Sequence, residues 1–435
     1  VNRSPHFTRS RRKHEERCFR VHSLFGLILA QVVGFSMMTT MKTLIRVFLF
    51  YVSVDIVLVS SQDVDETQRE GKFLLSPINL VRFNNDKCFN TVGESGTCYT
   101  KFDCMSRGGT PMGLCAAGFG VCCQFNAACG NVVSTNNTYI KSPSTLGTGV
   151  GVCEIVIRNT YSSVCQVRID FEELTLNIPN AAGVCDTDTL TIIGSTNVVP
   201  TICGENAGQH MYAHIGQTSR DITVRIRSTT TFDRRKFKLL VSFIPCDCNF
   251  HAPEGCLQYH TGLTVTNIKS FNWIRFKMGQ HLANQDYEIC FRTEYDQCGI
   301  CFNECFLEEE SGSFSIEGAT TTLHLNSQAQ HATNPTQPCS NDYVYIECGN
   351  RKGREFKGCN ADRYCGTLLN PRTSTTSMPN IPEKVCTYRQ PLRIRFKTDA
   401  TEMTPNPAAA NGNVADVNTS GFCLNAEQVN CYARK

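Results

Sequence analysis

The chain has 435 residues, of which 41% are hydrophobic, 19% are charged and 26 are cysteine, and its formal charge is +3. Seven Lys or Arg against two Asp or Glu fall in residues 1–40, so the balance from Gln62 onward is negative and no basic footprint for nucleic acid remains. Residues 62–435 leave room for two or three packed domains.

Met41 opens the stretch "MKTLIRVFLFYVSVDIVLVSSQ". Lys42 and Arg46 give a basic start, residues 47–59 an apolar run, and Ser60 and Ser61 a small-residue cleavage point before Gln62. This grammar predicts a signal peptide over 41–61. Asp55 interrupts the run, which falls short of the roughly 20 apolar residues that span a bilayer, so no membrane span is expected. Residues 1–40 start at Val1, carry a second apolar stretch at 24–38, and read as untranslated upstream sequence; the alternative is a genuine extension or signal anchor. Residues 62–87, with acidic "DVDE" and few packing residues, read as linker.

Twenty-five of the cysteines follow the signal stretch, and behind an export signal such density reads as a disulfide framework. The odd number predicts at least one thiol that is unpaired or joined to another chain. "CGIC" at 298–301 is a single CxxC pair with no matching second pair, so a zinc finger is a weaker reading. Two sequons place candidate glycans on Asn136 and Asn418.

Residues 88–128 form the first module, with cysteines at 88, 98, 104, 115, 122 and 123. A unit this small cannot fold on apolar burial alone and needs covalent staples of about 2–4 kcal/mol each. Sequence by itself permits 15 connectivities for six cysteines. The C-x5-C step at Cys98 and Cys104 and the closing Cys122-Cys123 resemble the clip domains of secreted arthropod proteins. That resemblance implies pairs Cys88 with Cys122, Cys98 with Cys115, and Cys104 with Cys123.

Beyond Cys129 the pattern turns to strands. "VRIDF" (167–171), "TLTII" (189–193), "ITVRI" (222–226) and "FKLLVSF" (237–243) alternate apolar and polar residues and are separated by Gly, Pro and Asn turns. No long amphipathic helix interrupts them, and the expected fold class is all-β, built as jelly-roll-type β-sandwiches behind a small disulfide-rich module. The order Cys129-Gly130, "TYIKSP", Cys153, "VRIDFEELTL", "CDTD" and Cys203-Gly204 resembles a CUB domain over 129–247. The resemblance implies Cys129 with Cys153 and Cys185 with Cys203. Cys165 and Cys246, at the start of one strand and the end of another, are plausible as a third pair, with Cys248 as a rival for the bond.

Residues 248–435 repeat the plan as a second, expanded CUB-like domain, through "CLQYHTGLTV", "HLANQDYEIC", "SFSIEG", "CSND", "YCG", "LRIRFKTD" and "SGF". Its disulfide cysteines include Cys256, Cys290, Cys339 and Cys365, and the partners of Cys248, Cys298, Cys301, Cys305, Cys348, Cys359, Cys386, Cys423 and Cys431 stay open. The polar insertions 318–338 and 404–418 read as exposed loops. From Cys88 to Cys431 the chain is similar to secreted arthropod CUB domain-containing proteins.

No G-x-S-x-G, H-E-x-x-H or trypsin-like serine setting is present, so a non-enzymatic role is expected. His210 and His214 in "HMYAH" lack a third ligand nearby and read as surface histidines. The resemblance implies a calcium site in the second module at Glu317, Asp342 and Asp399, where Ca2+-binding CUB domains carry carboxylates. The same positions in the first module read Asn177, Asp188 and Thr229, which leaves one carboxylate. Converged carboxylates repel and call for a cationic partner. In such domains a Lys or Arg of an extracellular protein ligand engages the site. The expected role is a secreted, extracellular protein-binding adaptor with a calcium-dependent second module. A non-catalytic regulator of a serine-protease cascade and a matrix or cuticle component are the alternatives.

Overall fold

The computed structural model describes residues 85–431, apart from 92, 143–148, 217–219, 276–278, 307–311, 317–326, 331–338, 340, 351–360, 372–380, 401, 406–412 and 416–418. The signal stretch, the upstream segment, most of the 62–87 linker, Glu317 and Asn418 lie outside the described residues.

Four short strands and one helix make the small unit: β1 (Lys87–Phe89), β2 (Ser95–Tyr99), α1 (Lys101–Ser106), β3 (Thr110–Cys115) and β4 (Gly120–Ala127). Thr100 caps α1 by accepting the Asp103 N–H on its hydroxyl at 3.0 Å. Disulfides join Cys88 to Cys122, Cys98 to Cys115 and Cys104 to Cys123. The accompanying apolar cluster is only Tyr99, Cys104, Cys123 and Phe125, with Val121 against it. Covalent closure therefore carries most of this unit's stability.

The next strands are β5 (Val132–Val133), β6 (Thr138–Lys141), β7 (Gly151–Arg158), β8 (Val164–Thr175), β9 (Asp188–Ile193), β10 (His210–His214), β11 (Asp221–Ser228) and β12 (Lys236–Pro245). They form two sheets, β6-β12-β8-β10 and β5-β7-β11-β9. The alternation read from sequence places Ile222, Val224 and Ile226 of β11 in the core, with their neighbours outward. The first sheet runs on into the small unit through parallel pairing of β4 with β6. Disulfides Cys129–Cys153, Cys165–Cys246 and Cys185–Cys203 staple the sandwich.

The remaining strands are β13 (Cys256–His260), β14 (Thr264–Lys269), β15 (Asp286–Phe291), β16 (Gln297–Glu304), β17 (Phe314–Ser315), β18 (Ser327–Gln330), β19 (Tyr343–Gly349), β20 (Ala361–Gly366), β21 (Val385–Thr387), β22 (Arg393–Lys397), β23 (Met403–Pro405), β24 (Asn413–Ala415) and β25 (Gly421–Asn430). One sheet has the order β13-β15-β22-β19-β20-β18; the facing one is β14-β25-β16-β21, with β17 on β25. Phe271, Tyr287, Phe396 and Phe422 fill the space between them in edge and tilted ring contacts. β22 lies between β15 and β19 as β11 lies between β7 and β9, so the two sandwiches share a central motif.

The insertions expected as loops contain strands. Ser327–Gln330 pairs with β20, and β23 pairs with β24 as a hairpin. A strand at a sheet edge needs only backbone hydrogen bonds on one side, so polar "SQAQ" suits it without any apolar alternation.

The two sandwiches meet through buried amides. Asn272 donates its backbone N–H to Asn206 Oδ1 at 2.8 Å and accepts the Glu205 N–H on its own Oδ1 at 3.1 Å. Gln258 reaches Gln209 at 3.2 Å, and Gln209 reaches the Ser270 carbonyl at 3.3 Å. All five side chains, including Ser270, are buried. At Gly204, with φ +76°, a Cβ would stand 1.9 Å from Asn272 Oδ1, so only glycine allows the approach. Each partner left without its hydrogen bond would cost about 1–3 kcal/mol, which fixes one relative arrangement of the sandwiches.

Among the described residues no cysteine is free. Cys298 joins Cys431, Cys301 joins Cys386 and Cys305 joins Cys423. Both cysteines of "CGIC" are therefore disulfide sulfurs. Cys256–Cys290 and Cys339–Cys365 complete the described pairs, and Cys248 and Cys348 are also disulfide-bonded. The expected leftover thiol is thus not found among the described residues.

Candidate functional site

Equivalent corners of the two sandwiches hold carboxylates in different company. In the first, Asp188 opens β9 and is fully buried. Arg235, just before β12, lies against it, with Nε 2.8 Å from Oδ2 and a terminal guanidinium nitrogen 2.9 Å from Oδ1. The Asn177 backbone N–H adds a third bond to Asp188 at 2.8 Å. Arg235 spends its other donors on the carbonyls of Gly149 and Thr230, each at 2.7 Å. A bidentate pair with further hydrogen bonds to both partners is the arrangement that makes a buried ion pair tolerable.

In the second sandwich Asp342 stands just before β19 and is 3% exposed. Its Oδ1 accepts the Asp399 backbone N–H at 2.7 Å, which ties it to the end of β22. Asp399 itself is half-buried, and its carbonyl accepts the Asn284 N–H at 2.5 Å. The other groups around Asp342 come from loops: His281 and Glu402, both fully buried, each offer a ligand atom within 4.8 Å of the others. Nδ1 of His281 lies 3.1 Å from Oε1 of Glu402, yet neither ring nitrogen and neither Glu402 oxygen has a directed hydrogen bond. Burial drives the Asp342 carboxyl well above the usual carboxylate range, with Glu402 adding to the rise and His281 opposing it. For His281 burial pulls down, but the Glu402 charge outweighs it and the imidazole ends above its ordinary value.

Backbone bonds hold this corner against the first sandwich. The Glu402 N–H donates to the Ala182 carbonyl and the Ala283 N–H to the Gly183 carbonyl, both at 2.9 Å. Gly183, with φ +73°, leaves room for Glu402, since a Cβ there would lie 2.4 Å from Glu402 Cγ. Of the residues expected to converge, Asp342 and Asp399 are neighbours, while Glu317 falls outside the described residues. His281 and Glu402 were not singled out. His281 sits inside the quoted "HLANQDY", but nothing local in that motif points to a carboxylate far along the chain.

His210 is buried, not on the surface as its strand pattern predicts, because β13 covers β10 and the Tyr259 N–H donates to Nε2 of His210 at 3.1 Å. His260 packs on it with ring centroids 4.9 Å apart. Burial lowers both pKa values, His260 to about 4, and the nearby Arg168 charge adds to the effect. His214 is half-buried and meets Gln166 at 3.0 Å. Asn136 is half-buried, its Oδ1 accepting the Phe243 and Asn137 N–H groups at 2.7 and 2.9 Å.

On the outer face of the six-stranded sheet a groove of about 340 Å3 runs between Tyr343, Tyr345, Arg363, Arg389 and Arg393. Arg363 lies over the Tyr343 ring at 4.4 Å, and Arg393 pairs with Glu288 at 3.0 Å.

Residues 253–429 match the family described as Animal CUB domain. The chain contains a CUB domain. No curated protein matches it. Among solved structures, the MASP-1 CUB2 domain bound to Ca2+ is 20% identical, covering 26% of this chain and 98% of that one at a TM-score of 0.22. The CUB1-EGF-CUB2 domains of rat MASP-1 are 13% identical over 69% of this chain and 99% of that one, at 0.22. The full extracellular region of zebrafish Gpr126/Adgrg6 is 12% identical over 71% of this chain and 35% of that one, at 0.24. Likenesses at these scores carry no argument about function, and the calcium is that of the MASP-1 domain.

Calcium takes six to eight oxygens and binds where carboxylates, carbonyls and water gather in a flexible loop cluster. The described group instead offers two carboxylates and one imidazole, closed to solvent. This donor set is not the one expected for calcium, whose Glu317 lies outside the described residues.

Proposed function

We propose that the chain is a secreted, extracellular, non-enzymatic adaptor that binds a protein ligand through its tandem sandwiches. The groove on the outer face of the six-stranded sheet carries the proposal. It combines two tyrosines with arginines held in fixed directions, and aromatic and arginine side chains are the residues that dominate protein–protein hot spots. The CUB match over 253–429 supports the same reading, since CUB domains are non-catalytic binding modules. A partner's Lys or Arg engaging Asp342 is no part of it, because that carboxylate is 3% exposed.

Affinity capture from body fluid, with cross-linking to locate the contact, tests the proposal. Cross-links should map to β19 and β22, and Tyr345→Ala with Arg389→Ala should weaken capture at least tenfold without lowering the melting temperature. Capture that is insensitive to both changes would contradict it. Active proteases as the captured species would favour the protease-cascade regulator, which the clip-like unit supports. Recovery in insoluble material would favour a matrix component, although no free cysteine among the described residues is available for crosslinking.

A further inference from the structure

We propose that His281, Asp342 and Glu402 bind one divalent transition cation of the zinc class, which pins the second sandwich to the first. The proposal is independent of the protein-binding reading.

Three observations carry it. His281 Nδ1 and both Glu402 carboxylate oxygens are buried without a directed hydrogen bond, which is costly for polar atoms shut away from water. One imidazole nitrogen and two carboxylates form a donor set suited to zinc or its first-row neighbours, whereas calcium prefers oxygen throughout. At zinc-ligand bonds of about 2.0–2.1 Å, tetrahedral ligand atoms stand roughly 3.4 Å apart. The 3.1 Å contact between His281 and Glu402, and the 4.8 Å limit on all three ligand atoms, bracket that spacing, so small side-chain adjustments complete the site.

The first sandwich supplies an internal control. There the equivalent carboxylate, Asp188, is neutralised by the chain's own Arg235, which also donates to the Gly149 and Thr230 carbonyls. The second sandwich has no Arg or Lys paired with Asp342 or Glu402 among the described residues, and a metal cation would fill that role. Because Glu402 and Ala283 hydrogen-bond the 182–183 turn, metal bound there ties the two sandwiches together.

The test uses the untagged full chain, stripped with chelator and dialysed. Zn2+ and Ca2+ are then titrated separately while melting is followed, and Co2+ serves as a spectroscopic substitute. One equivalent of Zn2+ should raise the melting temperature by several degrees, with Ca2+ at the same concentration giving no shift. Co2+ should give visible ligand-field bands of a nitrogen and oxygen site. His281→Gln and, as a second variant, Glu402→Gln should each lose both the shift and the bands. A zinc shift retained in both variants, no shift in the wild type, or stabilisation by Ca2+ alone would overturn the proposal. The Co2+ spectrum of the wild-type chain keeps it falsifiable if either variant fails to fold. Ligand capture is read separately, so loss of metal binding leaves the adaptor proposal standing or falling on its own result.

Discussion

The two sandwiches place a buried aspartate at the same point, at the start of β9 in one and just before β19 in the other, and surround it differently. Asp188 has a guanidinium from its own chain, while Asp342 has an imidazole and a second carboxylate. The difference teaches that a shared scaffold fixes where a charge is buried without fixing what compensates it. A corner that supplies its own cation is finished on folding. A corner that does not is open to a cation from solution.

The largest effect expected from breaking this comparison lies in the first sandwich. Arg235→Met leaves Asp188 buried without its partner and should cost about 3–5 kcal/mol in denaturant unfolding, while Arg235→Met with Asp188→Leu should recover most of that loss. Asp342→Asn in chelator should cost far less, because it removes a carboxylate whose ionisation burial and Glu402 already oppose. Equal losses at the two corners would mean that Asp342 is as fully compensated as Asp188.

Reduction comes next in size. With three disulfides and an apolar cluster of four residues, the small unit should lose its native amide dispersion in dithiothreitol at a concentration that leaves the sandwich cores folded. Simultaneous loss of the small unit and of both sandwich cores would show that they form one cooperative block, which the β4–β6 pairing permits.

The smallest effect concerns the histidines between the sandwiches. His260 titrates at about 4 in the folded chain against 6.5 when exposed, and His210 is lowered as well. The unfolded chain therefore binds more protons between those values, so stability should fall as pH drops from 6.5 towards 4, by something on the order of 2 kcal/mol. Arg168 and Tyr212 face these rings and keep the site unfavourable to a further positive charge. His260→Gln should flatten the acid limb of a melting-temperature profile, and an unchanged limb would assign it to other groups.

Much of the fold was legible before any coordinates. Strand β11, "DITVRIRS", alternates so regularly that its core face can be read off, and the all-β class follows from several such segments. The edge strand "SQAQ" was not legible, since nothing in its residues distinguishes pairing from solvation. His210 is buried although its strand pattern points to the surface, because period-2 alternation reports which face a side chain takes and not what later covers that face. The candidate site was half legible. Asp342 and Asp399 stand out beside Cys339 and at a strand end, but His281 and Glu402 lie in irregular segments about 60 residues on either side of Asp342. Only strand order and the docking of the 182–183 turn bring them together, and neither leaves a local pattern in the chain.

The most direct test of the central claim compares chelator sensitivity at the two corners. Melting of the wild type, Asp188→Asn and Asp342→Asn is followed in zinc-replete buffer and again with EDTA. If the second corner takes its cation from solution and the first from Arg235, EDTA should lower the wild-type and Asp188→Asn transitions by the same several degrees and leave Asp342→Asn unmoved. An EDTA shift that persists undiminished in Asp342→Asn, or no shift in the wild type, would contradict the account.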